Sequence, residues 1–151
     1  MPTQSPSVHS MEQPDDMKKY APKENVKKMA GKKILWVEDD KFLGSIVQKR
    51  MSTYGGEMVL AVNGDDAFKY LEDHTPNAIV LDLVLPGMSG FDILKKVRDN
   101  DAFKKVPVLI LSNLNQSSDI ERAKILGAEK FLVKASVSLE EIMRQIQLLM
   151  K

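Results

Sequence analysis

The sequence predicts an α/β protein: a parallel sheet of five strands with helices on both faces. Three observations carry that prediction. Short apolar runs recur five times along the chain. Each run is followed by a segment whose apolar residues fall at helical spacing. The junctions are marked by Gly, Pro and Asn, the residues that close strands and helices. Strand–helix alternation of this kind argues a parallel sheet covered on both sides.

The elements follow in order from Lys32. Ile34-Leu35-Trp36-Val37 is the first strand, closed by Glu38-Asp39-Asp40. Phe42, Leu43, Ile46 and Val47 lie at helical spacing in a segment that runs past Tyr54 to Gly55-Gly56. Met58 to Val62 reads as a strand ended by Asn63-Gly64, and Ala67, Phe68 and Leu71 mark a helix stopping before Pro76. Ala78-Ile79-Val80-Leu81 is wholly apolar, as a strand buried on both faces should be, and it ends in Asp82. Pro86-Gly87 turns the chain, and a helix beginning near Ser89 carries Phe91, Leu94 and Val97. Val106 to Leu111 is the fourth strand, and a helix from about Ser118 to Leu126 stops at Gly127. Lys130 to Val133 is the fifth. The last helix places Leu139, Ile142, Ile146 and Leu149 inward, with Ser138 as N-cap and Glu141 at the capping-box position.

Right-handed crossovers leave few arrangements for five such units. The flavodoxin-like order 2-1-3-4-5 sets strands one and three side by side at the switch point, where ligands of open α/β sheets bind. Residues 1–31 are different material. Pro2, Pro6, Pro14 and Pro22 recur among polar residues, so this stretch is expected to be a disordered or weakly structured tail. Residues 32–151 form the domain.

Composition excludes several classes of function. A net charge of +1 offers no case for nucleic acid or an anionic membrane surface. The absence of cysteine removes disulfides, thiolate metal sites and cysteine nucleophiles. No apolar run is long enough to span a bilayer, and the first residues do not resemble a signal peptide. A cytoplasmic protein is the expectation. His9 and His74 are the only histidines, and neither is placed to be a ligand.

With strands one and three adjacent, their C-terminal lips lie about 5 Å apart. Glu38, Asp39 and Asp82 then converge. Glu38-Asp39-Asp40 alone would read as a solvated loop favouring the next helix through its dipole. Asp82 arriving at the same lip changes that reading, because crowded carboxylates repel. A hard cation such as Mg²⁺ relieves the conflict with one or two carboxylates and its own waters, and the Val84 carbonyl could add a ligand. Ser112 ends the fourth strand and Lys134 the fifth, on the same edge. A hydroxyl and an ammonium beside a metal and a carboxylate make a phosphoryl site, with Asp82 as nucleophile forming an aspartyl-phosphate.

From about Lys32 to Lys151 the chain resembles the receiver domain of a two-component response regulator. The matching pieces are Ile34 to Asp40, Ile79 to Gly90, Pro107 to Ser112 and Phe131 to Lys134. The resemblance implies Asp82 as phosphoacceptor, Glu38 and Asp39 as the Mg²⁺-binding pair, Ser112 as the switch hydroxyl and Lys134 as the phosphate-contacting lysine. It implies Phe131 as the switch aromatic and the face of the fourth helix, fifth strand and fifth helix as the surface remodelled for a partner. Two positions depart from the family pattern. Ala135 stands where a proline usually follows the lysine through a cis peptide. Either the surroundings enforce a cis bond, at a cost of about 2.5–4 kcal/mol before a non-proline, or this loop runs differently. Asn113 stands where many relatives carry Ala or Gly, and its bulk beside the site is expected to hinder attacking water or a partner.

With nothing following the last helix, a stand-alone receiver is expected, monomeric or weakly dimeric. It would take its phosphoryl group from a sensor histidine kinase or a histidine phosphotransfer protein and act on an unidentified downstream protein. A diffusible switch and a relay intermediate are not separated by any residue. The enzymatic alternative is a small Mg²⁺-dependent phosphatase, but the position where such enzymes place a second carboxylate is Val84. The remaining alternative, a scaffold that no longer uses phosphate, sits poorly with Glu38, Asp39, Asp82, Ser112 and Lys134 occurring together.

Overall fold

In the computed structural model, residues 28–151 are described. The expected tail up to residue 27, with His9, lies outside them. The elements are β1 (Lys33–Val37), α1 (Lys41–Thr53), β2 (Glu57–Ala61), α2 (Gly64–Leu71), β3 (Ala78–Leu81), α3 (Gly90–Asp99), β4 (Val108–Ser112), α4 (Ser117–Ile125), β5 (Lys130–Val133) and α5 (Leu139–Leu149). All five strands pair in parallel in the order β2-β1-β3-β4-β5, as the sequence predicts.

Strand periodicity divides the core in two. Leu35, Val37, Ile79, Leu81, Val108 and Ile110 face one side, where they meet Ala67 and Leu71 of α2, Phe91, Leu94 and Val97 of α3, and Ala123 of α4. Ile34, Trp36, Ala78, Val80, Leu109 and Leu111 face the other, against Val47 and Met51 of α1 and Ile142, Met143 and Ile146 of α5. Every residue of β3 and β4 is buried. That is why these strands read as continuous apolar runs rather than as alternation. Met29, ahead of the expected start at Lys32, is also fully buried, and its N–H donates to the Tyr54 carbonyl at 3.0 Å.

The helix starts are set by side chains. Asp40 caps α1, accepting from the N–H groups of Phe42 and Leu43. Asn63 caps α2, Ser89 caps α3 and Ser138 caps α5. The expected capping box at α5 forms only in part. The Glu141 N–H donates to Ser138 Oγ at 3.1 Å, but the Glu141 carboxylate turns forward to Arg144 and Gln145. A charged fork one turn ahead outcompetes a neutral N–H behind.

At the edge of the sheet opposite the lip, Arg98 gathers the chain. It donates to the carbonyls of Phe103 and Gly127 and, at 2.9 Å, to Glu129 Oε1. Glu129 Oε1 also accepts the Val108 N–H at 2.8 Å, and the Glu129 N–H donates to the Val108 carbonyl at 2.9 Å. The starts of β4 and β5 are thereby fastened together. Gly127 has φ +109°, and a Cβ there would lie 2.8 Å from Arg98 Nε, so glycine is required by both backbone and neighbour.

Candidate active site at the sheet lip

Val37 of β1 and Leu81 of β3 are partners in the last rung of their ladder. The next residues are Glu38 and Asp82, which therefore leave the sheet side by side. Both are buried, at 1% and 6% exposure, and Asp39 beside them is exposed. Carboxylate oxygens of Glu38, Asp39 and Asp82 lie within 4.8 Å of one another.

Asp82 is held from three directions. Its Oδ1 accepts the Ser112 hydroxyl at 2.7 Å and the Val84 N–H at 3.2 Å. Its Oδ2 accepts the Lys134 ammonium at 2.7 Å. Ser112 is fully buried at the end of β4. Lys134 comes from the end of β5 and bridges, lying 2.7 Å from Glu38 Oε1 as well. The Glu38 contact is an ion pair outside hydrogen-bond geometry, so a buried carboxylate oxygen there retains free acceptor capacity. Burial pushes the Glu38 carboxyl up from its ordinary value, against the lowering effects of Lys134 and of the Asp40 N–H. For Lys134, burial acts downward, but the close contacts with the Asp82 and Glu38 carboxylates prevail and its ammonium is held above the ordinary value.

Three carboxylates against one ammonium leave the lip short of positive charge. An all-oxygen donor set with a buried oxygen to spare fits a hard divalent cation such as Mg²⁺. Asp40 lies outside this set, since its side chain is committed to capping α1.

Close packing fixes the loop after β3. The Gly90 N–H donates to the Leu83 carbonyl at 3.0 Å, and a Cβ on Gly90 would sit 2.2 Å from the Asp82 carbonyl oxygen. Gly87, in the preceding turn, takes φ +75°. The Val84 side chain projects to solvent. Phe131, half-buried on β5, packs at the edge of the core beside a cavity of about 290 Å³ that Ile120, Ala123 and Lys124 also line. His74 is exposed, stacked on Tyr70 and away from the lip.

The structure thus brings Glu38, Asp39, Asp82, Ser112 and Lys134 to one lip, and sets Phe131 outside it. The loop after Lys134 takes the second of the two courses the sequence left open. No peptide bond among the described residues is cis, and Lys134–Ser136 form a 3₁₀ turn. Two features had no signal in the sequence. One is the Lys134 bridge to Glu38. The other is a hydrogen bond from the Ala135 N–H to Asn113 Oδ1 at 2.8 Å, where bulk alone had been expected to matter.

Among the described residues, no helix is long and apolar enough to cross a membrane. Residues 34–147 match the family described as the response regulator receiver domain. The chain is 38% identical over 92 residues to the two-component response regulator ARR15 of Arabidopsis thaliana, an alignment covering 61% of this chain and 44% of that protein. It is 32% identical over 118 residues to the Regulator of RpoS of Escherichia coli K12, covering 78% of this chain and 34% of that one. The chain therefore spans less than half the length of these two relatives. The receiver domain of a sensor histidine kinase from Pseudomonas aeruginosa PAO1, solved with magnesium coordinated in its active-site cleft, superposes with a TM-score of 0.72 at 25% identity, covering 80% of this chain and 98% of that one. By its sequence match, its strand order and the acidic lip between β1 and β3, this chain belongs to the response regulator receiver domain family.

Proposed function

We propose that this chain is a phosphoacceptor switch of two-component signalling, with Asp82 receiving the phosphoryl group. The observation that carries the reading is the set of contacts on Asp82. One carboxylate oxygen is met by the Ser112 hydroxyl and the Val84 N–H, the other by the Lys134 ammonium, with Glu38 and Asp39 alongside.

The chemistry follows from those groups. An Asp82 carboxylate oxygen attacks phosphorus, forming the acyl-phosphate O–P bond. The bond from phosphorus to the donor's imidazole nitrogen breaks, and its electron pair returns to the leaving ring. Ser112 and Lys134 then exchange carboxylate contacts for contacts to phosphoryl oxygens, which offsets the charge that develops there. Glu38, Asp39, Asp82 and the Val84 carbonyl would hold Mg²⁺, which when bound neutralises phosphoryl oxygens. The donor is a sensor histidine kinase or a histidine phosphotransfer protein. The phosphorylated state is read by a downstream protein at the face of α4, β5 and α5, with Phe131 responding to the inward movement of Ser112.

The test is phosphate incorporation from acetyl phosphate with Mg²⁺, followed by intact-mass spectrometry. Wild type should gain one phosphoryl group, while Asp82→Asn and an EDTA-treated sample should gain none. No gain in wild type, or an equal gain in Asp82→Asn, would overturn the proposal.

A further inference from the structure

Two residues of this chain that hold Asp82 are each followed by one that departs from the family pattern. Asn113 comes directly after Ser112, and Ala135 directly after Lys134. The structure brings the two departures together, with the Ala135 N–H donating to Asn113 Oδ1 at 2.8 Å across 22 residues of chain. They suit each other chemically. A proline at position 135 would have no N–H to give, and an alanine or glycine at position 113 no oxygen to receive it.

The place of this hydrogen bond explains what it does. The backbone ladder between β4 and β5 ends at the Ser112–Val133 rung. The Asn113 side chain therefore adds a cross-strand link beyond the last backbone pair. It also serves as a cap. The first N–H groups of a helical turn have no partner within it, and the Lys134–Ser136 turn has no capping side chain at its own N-terminus. The side-chain amide oxygen of Asn113, the residue just past β4, takes that role. Lys134 reaches Asp82 and Glu38 on a flexible four-carbon stem, so where its ammonium comes to rest depends on how firmly its backbone is held.

We infer that Asn113 is the positioning residue for Lys134: by anchoring the Ala135 N–H it fixes the turn that aims the Lys134 ammonium at Asp82. The kinetic consequence rests on the phosphoacceptor reading proposed above; the geometric consequence does not. Asn113 makes no hydrogen bond to the Asp82 carboxylate or the Lys134 ammonium and acts through the turn alone.

The test follows the Ala135 amide and the Lys134 ammonium by ¹⁵N NMR, and the rate of phosphate incorporation from acetyl phosphate, in wild type, Asn113→Ala and Asn113→Asp. Asn113 is exposed, so neither substitution threatens folding. In Asn113→Ala the Ala135 amide should lose its protection from hydrogen exchange and the Lys134 ammonium signal should broaden. Asn113→Asp, which keeps an acceptor in the same place, should retain both. Incorporation should slow about two- to tenfold in Asn113→Ala, the rate equivalent of one hydrogen bond. The same substitution made in a Lys134→Ala background should add nothing. A loss that persists in that background, or an Ala135 amide equally protected with and without Asn113, would overturn the inference. If wild type takes up no phosphoryl group, the phosphoacceptor reading falls, and the Lys134 signal still decides the role of Asn113.

Discussion

Gly90→Ala adds a single methyl group to the first residue of α3, and the structure gives its consequence a sign and a size. The added Cβ would meet the Asp82 carbonyl oxygen at 2.2 Å, Leu83 Cα at 2.6 Å and the Asp82 carbonyl carbon at 2.9 Å. All three are backbone atoms, so no side-chain rotation relieves the overlap. Alanine in a helix is ordinarily worth up to about 1 kcal/mol over glycine, whereas forced overpacking costs about 1–3 kcal/mol. Because the contact lies roughly an ångström inside ordinary separation, the upper end of that cost applies, and a net loss of about 2 kcal/mol is expected. In urea unfolding this lowers the midpoint by about 1 M. Two of the struck atoms belong to Asp82, the proposed phosphoacceptor, so incorporation from acetyl phosphate should also fall by about 10- to 100-fold, the effect of displacing a reacting group by about 1 Å. Gly64→Ala is the control. Its Cβ would meet only side-chain atoms of Met88 and Ile93, at 3.2 and 3.3 Å, and stability should stay within about 1 kcal/mol of wild type. A Gly90→Ala protein as stable and as reactive as Gly64→Ala would refute the reasoning.

Three further outcomes are expected. Lys134→Met leaves Glu38 and Asp82 facing each other with their bridging ammonium removed; urea unfolding should show a loss of about 2 kcal/mol without Mg²⁺, and a larger gain from added Mg²⁺ than wild type shows. A variant indifferent to Mg²⁺ would count against a cation site at this lip. Phe131→Ala should take up phosphate normally, but the amide shifts that phosphorylation induces should stop near Asp82 instead of reaching α4; shifts that spread as in wild type would remove Phe131 from the route. Glu141 is held down to about 2, first by the Arg144 fork and then by Gln145, from an ordinary 4.5. Its stabilising contribution is therefore complete above the unfolded value and is lost as pH falls towards 2. Thermal melts between pH 4.5 and 2 should fall less steeply in Glu141→Gln, and a ¹³C titration should find Glu141 returned towards 4.5 in Arg144→Ala.

The core strands were legible because burial on both faces leaves nothing but apolar letters. Ala78–Leu81 was read to the residue for that reason. β4 begins two residues later than its apolar run, at Val108, because pairing and burial are different conditions. Val106 is buried before the ladder starts, and Pro107 contributes a carbonyl to Ile79 but no N–H. The convergence of Glu38, Asp39, Asp82, Ser112 and Lys134 followed from strand order, since all but Asp39 stand at or next to a strand's last residue. The Asn113 link could not be read this way. Its partner is a backbone N–H, which every residue but proline carries and no letter advertises. Glu141 shows the converse. It occupies the capping-box position, yet Arg144 and Gln145 lie within reach on the same face and hold its carboxylate instead.

The knot around Glu129 gives β4 and β5 a mechanical asymmetry. At their starts the two strands are joined by two hydrogen bonds between Glu129 and Val108, and Arg98 ties the same carboxylate to the end of α3. At their far ends, roughly 13 Å away at the usual rise per residue, the link past the last rung is one amide oxygen. A strand pair with extra links at one end would pivot about that end if the other were pulled. A 1 Å displacement of Ser112 towards a new charge needs a tilt of only about 4° over that length, small enough to leave the pivot intact. The Glu129 knot thus lies at the end of the sheet farthest from Ser112, the residue that the proposed switch would draw inward.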